Sequence, residues 1–321
     1  MAEATLTKDA NANTVDETAA AAIASGEVYQ LTDGRAGVKA GLLAAASGDP
    51  VSFITAGQFP ITKSADLVIL KGGKVFWDRA ANAATPLQAA AGADFYVGAA
   101  LEDAAAAATT VSVDLNVKPT YTIDMKRDPG LSVPVLTAGT PYLFNRGAGL
   151  VAGFSATAEA QKEDWLSVHS VPVTIPMILE AIFAVNVTCD ADVGDLNIGL
   201  ANATHASDGD SITESCFFHA DLGADLNLDA ESDDGTTEVA ATDTTVDLVA
   251  FTPVEVWIDA RDLTDIQLYV NGVNVLPDSV FALGDATGPL KALFHLEKSA
   301  NDSLGEVQVS HLAVRAMDLA S

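Results

Sequence analysis

The heptapeptide GGKVFWD, residues 72–78, is the stretch that decides the fold class of this chain. Its glycines open a short strand in which Val75 and Trp77 share one face and Phe76 takes the other, because side chains alternate along a strand. After a polar, alanine-rich turn a second apolar strand follows, FYVGAAL at residues 95–101. No nucleophile, set of metal ligands or phosphate loop accompanies this pair. The pattern predicts a small β module that serves assembly.

Short runs of alternating apolar residues recur on both sides of this pair, separated by turn residues. Alanine has high helix propensity, but the alanine runs at residues 19–22 and 104–108 are short and bounded by Thr, Gly or Asp. We predict an all-β chain whose first domain, residues 15–118, is a small β-barrel or β-sandwich. Residues 1–14 lack the basic and apolar segments of a secretory signal and are predicted to form a flexible arm.

A proline-bearing stretch interrupts the strand pattern between residues 117 and 141. Because proline favours an extended connector over the interior of a sheet, we predict a linker over residues 119–141. Residues 142–321 then hold about eight candidate strands without helices between them, which predicts a two-sheet jelly roll. The Asn271–Gly272 pair is a strong hairpin signal within this domain, since both positions favour positive φ. No internal repeat stands out beyond the strand periodicity.

The charge balance excludes one class of partner and distinguishes the two halves. The chain has 44 acidic and 16 basic residues and a formal net charge of −28, whereas nucleic-acid binding needs clustered Lys and Arg. Residues 1–118 hold 13 acids and 8 bases, and residues 119–321 hold 31 acids and 8 bases. The second half is therefore the part expected to face water. No run of about 18 apolar residues occurs, so we predict no transmembrane helix and no membrane partner.

Side chains that could carry chemistry do not form a recognisable motif. No Gly-x-Ser-x-Gly elbow occurs, and the five histidines never lie two or four residues apart, which argues against zinc. Aspartate-rich turns offer oxygen ligands that suit calcium, and solvated turn residues are the alternative interpretation. We expect no cofactor, with calcium as the ion that these turns would suit. The candidate ligands are Asp208, Asp210, Asp233 and Asp234.

The two cysteines, Cys189 and Cys216, are too few for a disulfide scaffold. We predict two buried free thiols, with a bridge between neighbouring strands as the alternative.

Six short motifs follow one another through the first domain: GEV (26–28), GDPV (48–51), GQFPI (57–61), GKVFWD (73–78), VGAA (97–100) and VSVDL (111–115). Their succession resembles the tailed-phage capsid decoration, or cement, protein family. Two positions depart from the family pattern, because Lys74 stands where an acidic residue is usual and Phe76 replaces a tyrosine. The strand survives both changes, although its polar contacts would differ.

This resemblance implies a small β-rich domain on the outside of a phage head, assembled in the host cytoplasm. Such domains bind the major capsid protein, commonly as homotrimers, and reinforce the shell against the pressure of the DNA. We take four apolar side chains as candidates for the capsid or trimer interface: Val75, Phe76, Trp77 and Phe59.

Two segments of the second domain, residues 254–275 and 290–316, carry another resemblance. Their strand–turn–strand pattern is similar to the concanavalin A-like lectin and laminin-G-type jelly roll. Trp165 and Trp257 could offer an aromatic platform to a sugar ring, with packing in the core as the alternative. The Glu-x-Asp-x-x-Glu strand of glycan-cleaving members is absent from the sequence.

Together these patterns predict a structural virion protein without enzymatic activity. Its first domain would bind the outer capsid surface as a trimer and stabilise the shell, and its acidic jelly roll would project outward. The alternative is a glycan-binding adhesion protein on the virion or cell surface, with polysaccharide as its partner.

Overall fold

The computed structural model describes residues 14–88, 94–132, 141–145, 149–189, 194–206, 208–223 and 226–317. The chain divides into two compact units, residues 1–120 and 121–321. Both units are built from antiparallel strands, which confirms the all-β fold class. The predicted flexible arm lies outside the described residues except for Thr14, which begins the first strand. Within the described part of the chain, no helix is long and apolar enough to span a bilayer.

The first unit consists of two antiparallel sheets with the strand orders β1-β4-β3-β2 and β5-β9-β8-β6-β7. A parallel bridge between Lys63 and Ala84 brings the two ends of the second sheet together at one point. The strands are β1 (Thr14–Thr18), β2 (Val28–Gln30), β3 (Ala36–Lys39), β4 (Pro50–Ile54), β5 (Gln58–Thr62), β6 (Lys74–Asp78), β7 (Ala83–Thr85), β8 (Phe95–Ala100) and β9 (Thr110–Leu115).

The two sheets of the first unit repeat one topology, which the sequence analysis missed. The order β1-β4-β3-β2 matches β5-β9-β8-β6, with β7 inserted between β6 and β8. Each sheet also has an isolated antiparallel bridge at the equivalent place, Ile23 to Ala45 in one and Ile69 to Ala104 in the other. The repeat is invisible in the sequence because the inserted strand changes the spacing and the side chains differ.

The strand of the GGKVFWD segment lies in the core of the first unit. Val75 and Trp77 pack into the same apolar cluster, as the alternation predicts. Next to this strand, Gly98 has no room for a side chain, since a Cβ there would lie 2.1 Å from the carbonyl oxygen of Asp114. Close packing between β8 and β9 therefore requires glycine at this position.

The second unit is a two-sheet sandwich of the jelly-roll type, closed around one large apolar core. One sheet has the order β12-β13-β24-β15-β20-β21-β22, with β10 also pairing β24, and the other has the order β11-β14-β23-β16-β17-β18-β19. The strands are β10 (Ile123–Asp124), β11 (Leu131–Ser132), β12 (Tyr142–Asn145), β13 (Leu150–Phe154), β14 (Glu159–Leu166), β15 (Met177–Val187), β16 (Gly194–Ala201), β17 (Ser215–Asp221), β18 (Asn227–Asp233), β19 (Glu238–Asp247), β20 (Val254–Ala260), β21 (Gln267–Val270), β22 (Val273–Asn274), β23 (Lys291–Asn301) and β24 (Gly305–Ala316).

Two of the connections between these strands are well-defined turns. Asn271 and Gly272 join β21 to β22 with φ values of 50° and 79°, which confirms the predicted hairpin. A single 3₁₀ turn at Gly209–Ser211 lies in the connection between β16 and β17.

The stretch predicted as a linker, residues 119–141, contains two short strands of the second unit. β10 and β11 fall inside residues 119–141 and pair with β24 and β14 of the second unit. Ile123 is only 1% exposed and belongs to the core of that unit. The prolines at 119 and 129 precede these short strands without interrupting their pairing. Residues 133–140 lie outside the described part of the chain.

Replacing Gly98 by alanine tests the close packing of β8 on β9. We expect Gly98→Ala to lower the free energy of unfolding of the first unit by about 2 kcal/mol, because the added methyl group forces the backbones apart. Thermal and urea unfolding measure this change. Gly284→Ala is the control: its Cβ would meet no atom closer than 3.6 Å, so its stability should match wild type. Equal stability of both variants would contradict the packing argument.

Candidate functional surfaces

The four side chains predicted to form the interface of the first unit are buried within it. Val75, Phe59 and Trp77 are 0%, 1% and 2% exposed, and Phe76 is 9% exposed. Phe76 packs edge-on against Tyr96, with the ring centroids 5.6 Å apart. A buried side chain has no area to give to a partner, so the structure corrects this prediction and assigns all four residues to packing.

The loop between β3 and β4 presents an apolar surface that sequence reasoning missed. Leu42 and Leu43 are 95% and 82% exposed, more than any other large apolar side chain among the described residues. They follow Gly41, whose φ of +83° turns the chain outward. The sequence feature that could have indicated this surface is the apolar run GLLAAA, which lies between turn residues instead of inside a strand.

A buried lysine holds this leucine loop in place. The Nζ of Lys39 donates hydrogen bonds to the carbonyl oxygens of Ala40 at 3.0 Å and Leu43 at 2.6 Å. On the other side, the hydroxyl of Ser25 donates to the carbonyl of Gly41 at 2.7 Å. A loop that is already ordered loses less conformational entropy when it binds.

The topological repeat contains the same lysine arrangement without the exposed leucines. The Nζ of Lys63 donates to the carbonyl oxygens of Ser64 at 2.7 Å and Leu67 at 2.6 Å. In this second copy Leu67 is half-buried. A buried lysine therefore fixes each of the two equivalent turns, Lys39 in one and Lys63 in the other. Of these two turns, the leucine loop is the one that exposes an apolar surface.

A row of polar side chains crosses the outer face of one sheet of the second unit. Each member is paired in register with the next, on strands β14, β23, β16, β17, β18 and β19. On the four central strands of this set, β23, β16, β17 and β18, both neighbours of each row residue belong to the core, so alternation directs the row to the opposite face of the sheet. The row consists of Asp164, His295, Asn197, His219, Asp229 and Asp243.

His295 is held between two carboxylates in the buried part of this row. Its Nδ1 lies 2.6 Å from Asp164 Oδ1 and its Nε2 lies 3.1 Å from Glu297 Oε2. Burial lowers the pKa of His295, but the bonds to Asp164 and Glu297 outweigh it, and the net pKa is raised. The ammonium group of Lys162 also pairs with Asp164. Positive charge thus balances the buried carboxylate.

His219 is the centre of a second, partly open cluster on the same face. Its Nδ1 lies 3.1 Å from Asp210 Oδ1, and its Nε2 lies 3.7 Å from Asp221 Oδ1. The side chains of Asp210, His219 and Glu231 bring ligand atoms within 4.8 Å of one another, and so do those of Asp195, His219 and Asp221.

The environment shifts the pKa values of this cluster strongly. Burial and the nearby Asp210 raise the pKa of Glu231 to about 8. Burial, with a hydrogen bond to Asp221, raises the pKa of Asp195 to about 7. For His219, burial lowers the pKa, but the bond to Asp210 outweighs it and raises the pKa to about 9. The protonated forms of all three groups are therefore favoured in the folded state.

The 3₁₀ turn at Gly209–Ser211 covers the row. Asp208 caps this turn, since its carboxylate accepts hydrogen bonds from the Asp210 N–H at 3.1 Å and the Ser211 hydroxyl at 2.8 Å. Gly209 lies so close to the sheet that a Cβ there would be 2.6 Å from Asn197 Oδ1. The turn thus brings Asp210 down onto His219.

The four aspartates predicted as calcium ligands do not converge. Asp208 caps the 3₁₀ turn, while Asp233 and Asp234 accept hydrogen bonds from the backbone N–H groups of the turn that follows β18. Among the residues that the structure describes, Asp210 is the one of the four that lies close to other ligand-type side chains, those of His219 and Glu231. Sequence spacing could not reveal this set, because the three residues lie on separate elements.

The two tryptophans proposed for glycan binding are also mostly buried. Trp165 belongs to the core of the second unit, which corrects the prediction of a sugar platform. Trp257 points away from that core, donates its indole N–H to Glu255 at 2.9 Å and packs against Tyr269. At 5% exposure it has little ring surface to offer.

Both cysteines are free and buried, as predicted. Burial raises the pKa of the Cys216 thiol, which makes it a poor nucleophile.

Comparison with known proteins gives a family for the first unit. Residues 8–115 match the family model of the phage cement protein. The first unit matches the phage cement family. The match confirms the resemblance drawn from the order of motifs and supports a role in capsid decoration. No curated protein sequence matches the chain.

Solved structures resemble the jelly roll only loosely. The carbohydrate recognition domain of Emp47p has a TM-score of 0.42 at 10% identity, covering 61% of this chain and 94% of that chain. Carbohydrate-binding module CBM66 from Bacillus subtilis has a TM-score of 0.37 at 10% identity, covering 59% and 97%. The alginate lyase from Corynebacterium sp. has a TM-score of 0.38 at 12% identity, covering 56% and 83%. No ligand or activity follows from likeness at this level.

The His219 cluster should make the second unit less stable as pH rises, in buffer containing a chelator. The folded-state pKa values of Glu231, Asp195 and His219 all lie above their ordinary values. Below the pKa values that these groups have in the unfolded chain, their contribution to the stability of the folded state is complete. This contribution is lost as the pH rises through their folded-state pKa values, between about pH 4 and pH 9. Asp210 acts oppositely, but only in acid, because its pKa is lowered to about 2.

Urea unfolding across this range of pH measures the effect. Glu231→Gln keeps the shape of the protonated side chain and should flatten the decline. Glu238→Gln, on the exposed edge strand β19, is the control and should leave the decline as in wild type. A decline that is equally steep in both variants would show that Glu231 does not cause it.

Proposed function

We propose that this protein decorates the outside of a phage capsid, where its first unit binds the major capsid protein and stabilises the shell. The observation that carries this proposal is the match of residues 8–115 to the phage cement protein family. The action is binding without turnover. The resemblance also implies a homotrimer, and light scattering of the purified protein measures its mass directly.

The leucine loop is the surface of the first unit best suited to dock on the shell. Leu42 and Leu43 are both almost fully exposed, and burying each would contribute about 2 kcal/mol. The backbone of the loop is already fixed by Lys39 and Ser25. An ordered apolar projection is what a binding surface needs, because little entropy is lost on contact.

The distribution of charge also supports docking through the first unit. The first unit carries 13 acids and 8 bases, whereas the second carries 31 acids and 8 bases. The first unit therefore meets less repulsion at another protein surface, and the second keeps decorated particles apart in solution.

A co-sedimentation experiment with phage heads that lack this protein tests the proposal. Wild type should pellet with the heads, and the double variant Leu42→Asp/Leu43→Asp should bind at least about 100-fold more weakly, because two apolar contacts are lost. The matched control is Val249→Asp/Phe251→Asp, which changes two exposed apolar residues of the second unit, 62% and 73% exposed. This control should bind like wild type.

The possible outcomes separate two parts of the proposal. Failure of wild type to bind heads would overturn capsid decoration itself. Binding by wild type and by the leucine variant alike would keep the function and reject the leucine loop as its surface.

The alternative function is glycan binding by the second unit, and the two tryptophans that were its candidate residues are buried. Trp165 is in the core and Trp257 is nearly covered, so neither offers the open ring face that stacks on a sugar. A glycan array probed with the full chain tests this alternative, and saturable binding to a defined glycan would restore it.

A further inference from the structure

We infer that the loop between β19 and β20 is a docking site for another protein, one whose surface offers an apolar pocket bordered by lysine or arginine side chains. Residues 249–253 of this loop are called the Phe251 tip. The tip belongs to the second unit, whereas the leucine loop belongs to the first. The inference therefore does not depend on capsid decoration.

Phe251 lies at a position of the loop that disfavours its residue type. The N–H of Thr252 donates to the carbonyl oxygen of Val249 at 2.9 Å, which closes a β-turn with Phe251 in its third position. The φ of Phe251 is +62°, and a turn with positive φ at this position favours glycine or asparagine. A bulky residue there is strained, and such strain points to a functional role for the side chain.

The ring of Phe251 lies mostly outside the packing of the fold. Leu226 is the other large apolar residue with a positive φ among the described residues, at 47°, and its side chain packs in the core of the unit. Phe251 is instead 73% exposed, although an aromatic ring gains much from burial. Packing offsets the strain at Leu226, whereas the strain at Phe251 is offset when a partner covers the ring.

The tip is ordered and apolar before any contact is made. The N–H of Phe251 donates to the carbonyl oxygen of Val185 on β15 at 2.8 Å. Val249 and Pro253 are exposed on the same tip, and Val187, two residues along β15 from Val185, is also exposed. An apolar projection that is already fixed loses little entropy on binding.

The size of the tip indicates the form of the contact. One aromatic ring with a few small apolar neighbours matches the anchor of a protein–protein interface, where an aromatic side chain fills a desolvated pocket and the surrounding contacts exclude water. A projecting ring needs a concave surface to cover both of its faces. The partner therefore supplies a pocket.

The charge around the tip identifies the border of that pocket. The sequence has no lysine or arginine between Lys162 and Arg261, a stretch that contains the whole tip, and the acids Asp247 and Glu255 stand on either side of it. Acidic surroundings disfavour nucleic acid, an anionic membrane and a second copy of this chain. They favour a surface with basic side chains, which would pair with the acids while the pocket takes the ring.

A cationic cyclodextrin tests this chemistry. β-Cyclodextrin is a ring whose apolar cavity accepts a phenyl group, and its amino derivative carries ammonium groups at the rim, so it imitates the proposed pocket. In isothermal titration calorimetry with the full-length protein, the amino form should bind at least about tenfold more tightly than neutral β-cyclodextrin, and salt should reduce the difference. Equal affinity for the two forms, or no binding of the amino form, would overturn the inference.

Matched variants locate the binding. Phe251→Asn removes the ring and suits the positive φ, so it should keep or raise the Tm while weakening binding of the amino form at least about tenfold. Val280→Asn changes a residue of the same unit that is 61% exposed, and this control should bind like wild type. Unchanged affinity in Phe251→Asn would place the binding elsewhere on the acidic unit and reject the tip. A clearly lower Tm would show that the ring supports the fold, contrary to the strain argument.

Two further measurements test other occupants of the tip. Sedimentation velocity compares wild type with Phe251→Asn, and an oligomer that is lost in the variant would make a second copy the occupant and overturn the inference. The linear glucose oligomer maltoheptaose has no cavity, so binding as tight as that of the amino form would indicate sugar recognition instead of a pocket. These measurements use the free protein, and their failure is therefore distinguishable from a failure to bind phage heads.

Discussion

Alternation of side chains along antiparallel strands is the constraint on which both units depend, because it sends every second residue of a strand into an apolar core. The cores are filled without a disulfide, and both cysteines are free. Alanine supplies much of the apolar fraction of the chain. Within one sheet, Gly98 of β8 has no space for a Cβ, because the carbonyl oxygen of Asp114 on the neighbouring strand β9 would be 2.1 Å away. The remaining features of the molecule are on the faces and loops that this packing leaves outside.

Buried cations organise those outer parts in two different ways. Lys39 and Lys63 each donate hydrogen bonds to backbone carbonyl groups of equivalent turns, which fixes these turns. In the second unit, Lys162 and His295 instead balance the buried carboxylate of Asp164. A charge taken out of water needs such partners, since its desolvation is otherwise unfavourable. Each of these buried bases thus lies where backbone or carboxylate oxygens are buried.

The two units divide the functional features between them. The first unit has the family match and the ordered apolar loop, which suit attachment to another protein. The second unit carries most of the negative charge and a polar row in which carboxylates crowd around His219. Crowded carboxylates are stable only with protons or a cation among them, because their mutual repulsion raises the pKa of at least one. The cluster around His219 therefore contains carboxyl groups whose pKa values are raised by burial and neighbouring charges.

The sequence by itself determined the fold class, the Asn271–Gly272 hairpin and the resemblance of the first unit to the phage cement family. These follow from local information: period-two alternation, turn residues and the order of short motifs. Only the tertiary structure decided which apolar residues are covered, so the GGKVFWD strand lies in the core and the GLLAAA run is exposed. It alone brought Asp210, His219 and Glu231 together, because strand register and the fold of one turn set distances between residues far apart in the chain.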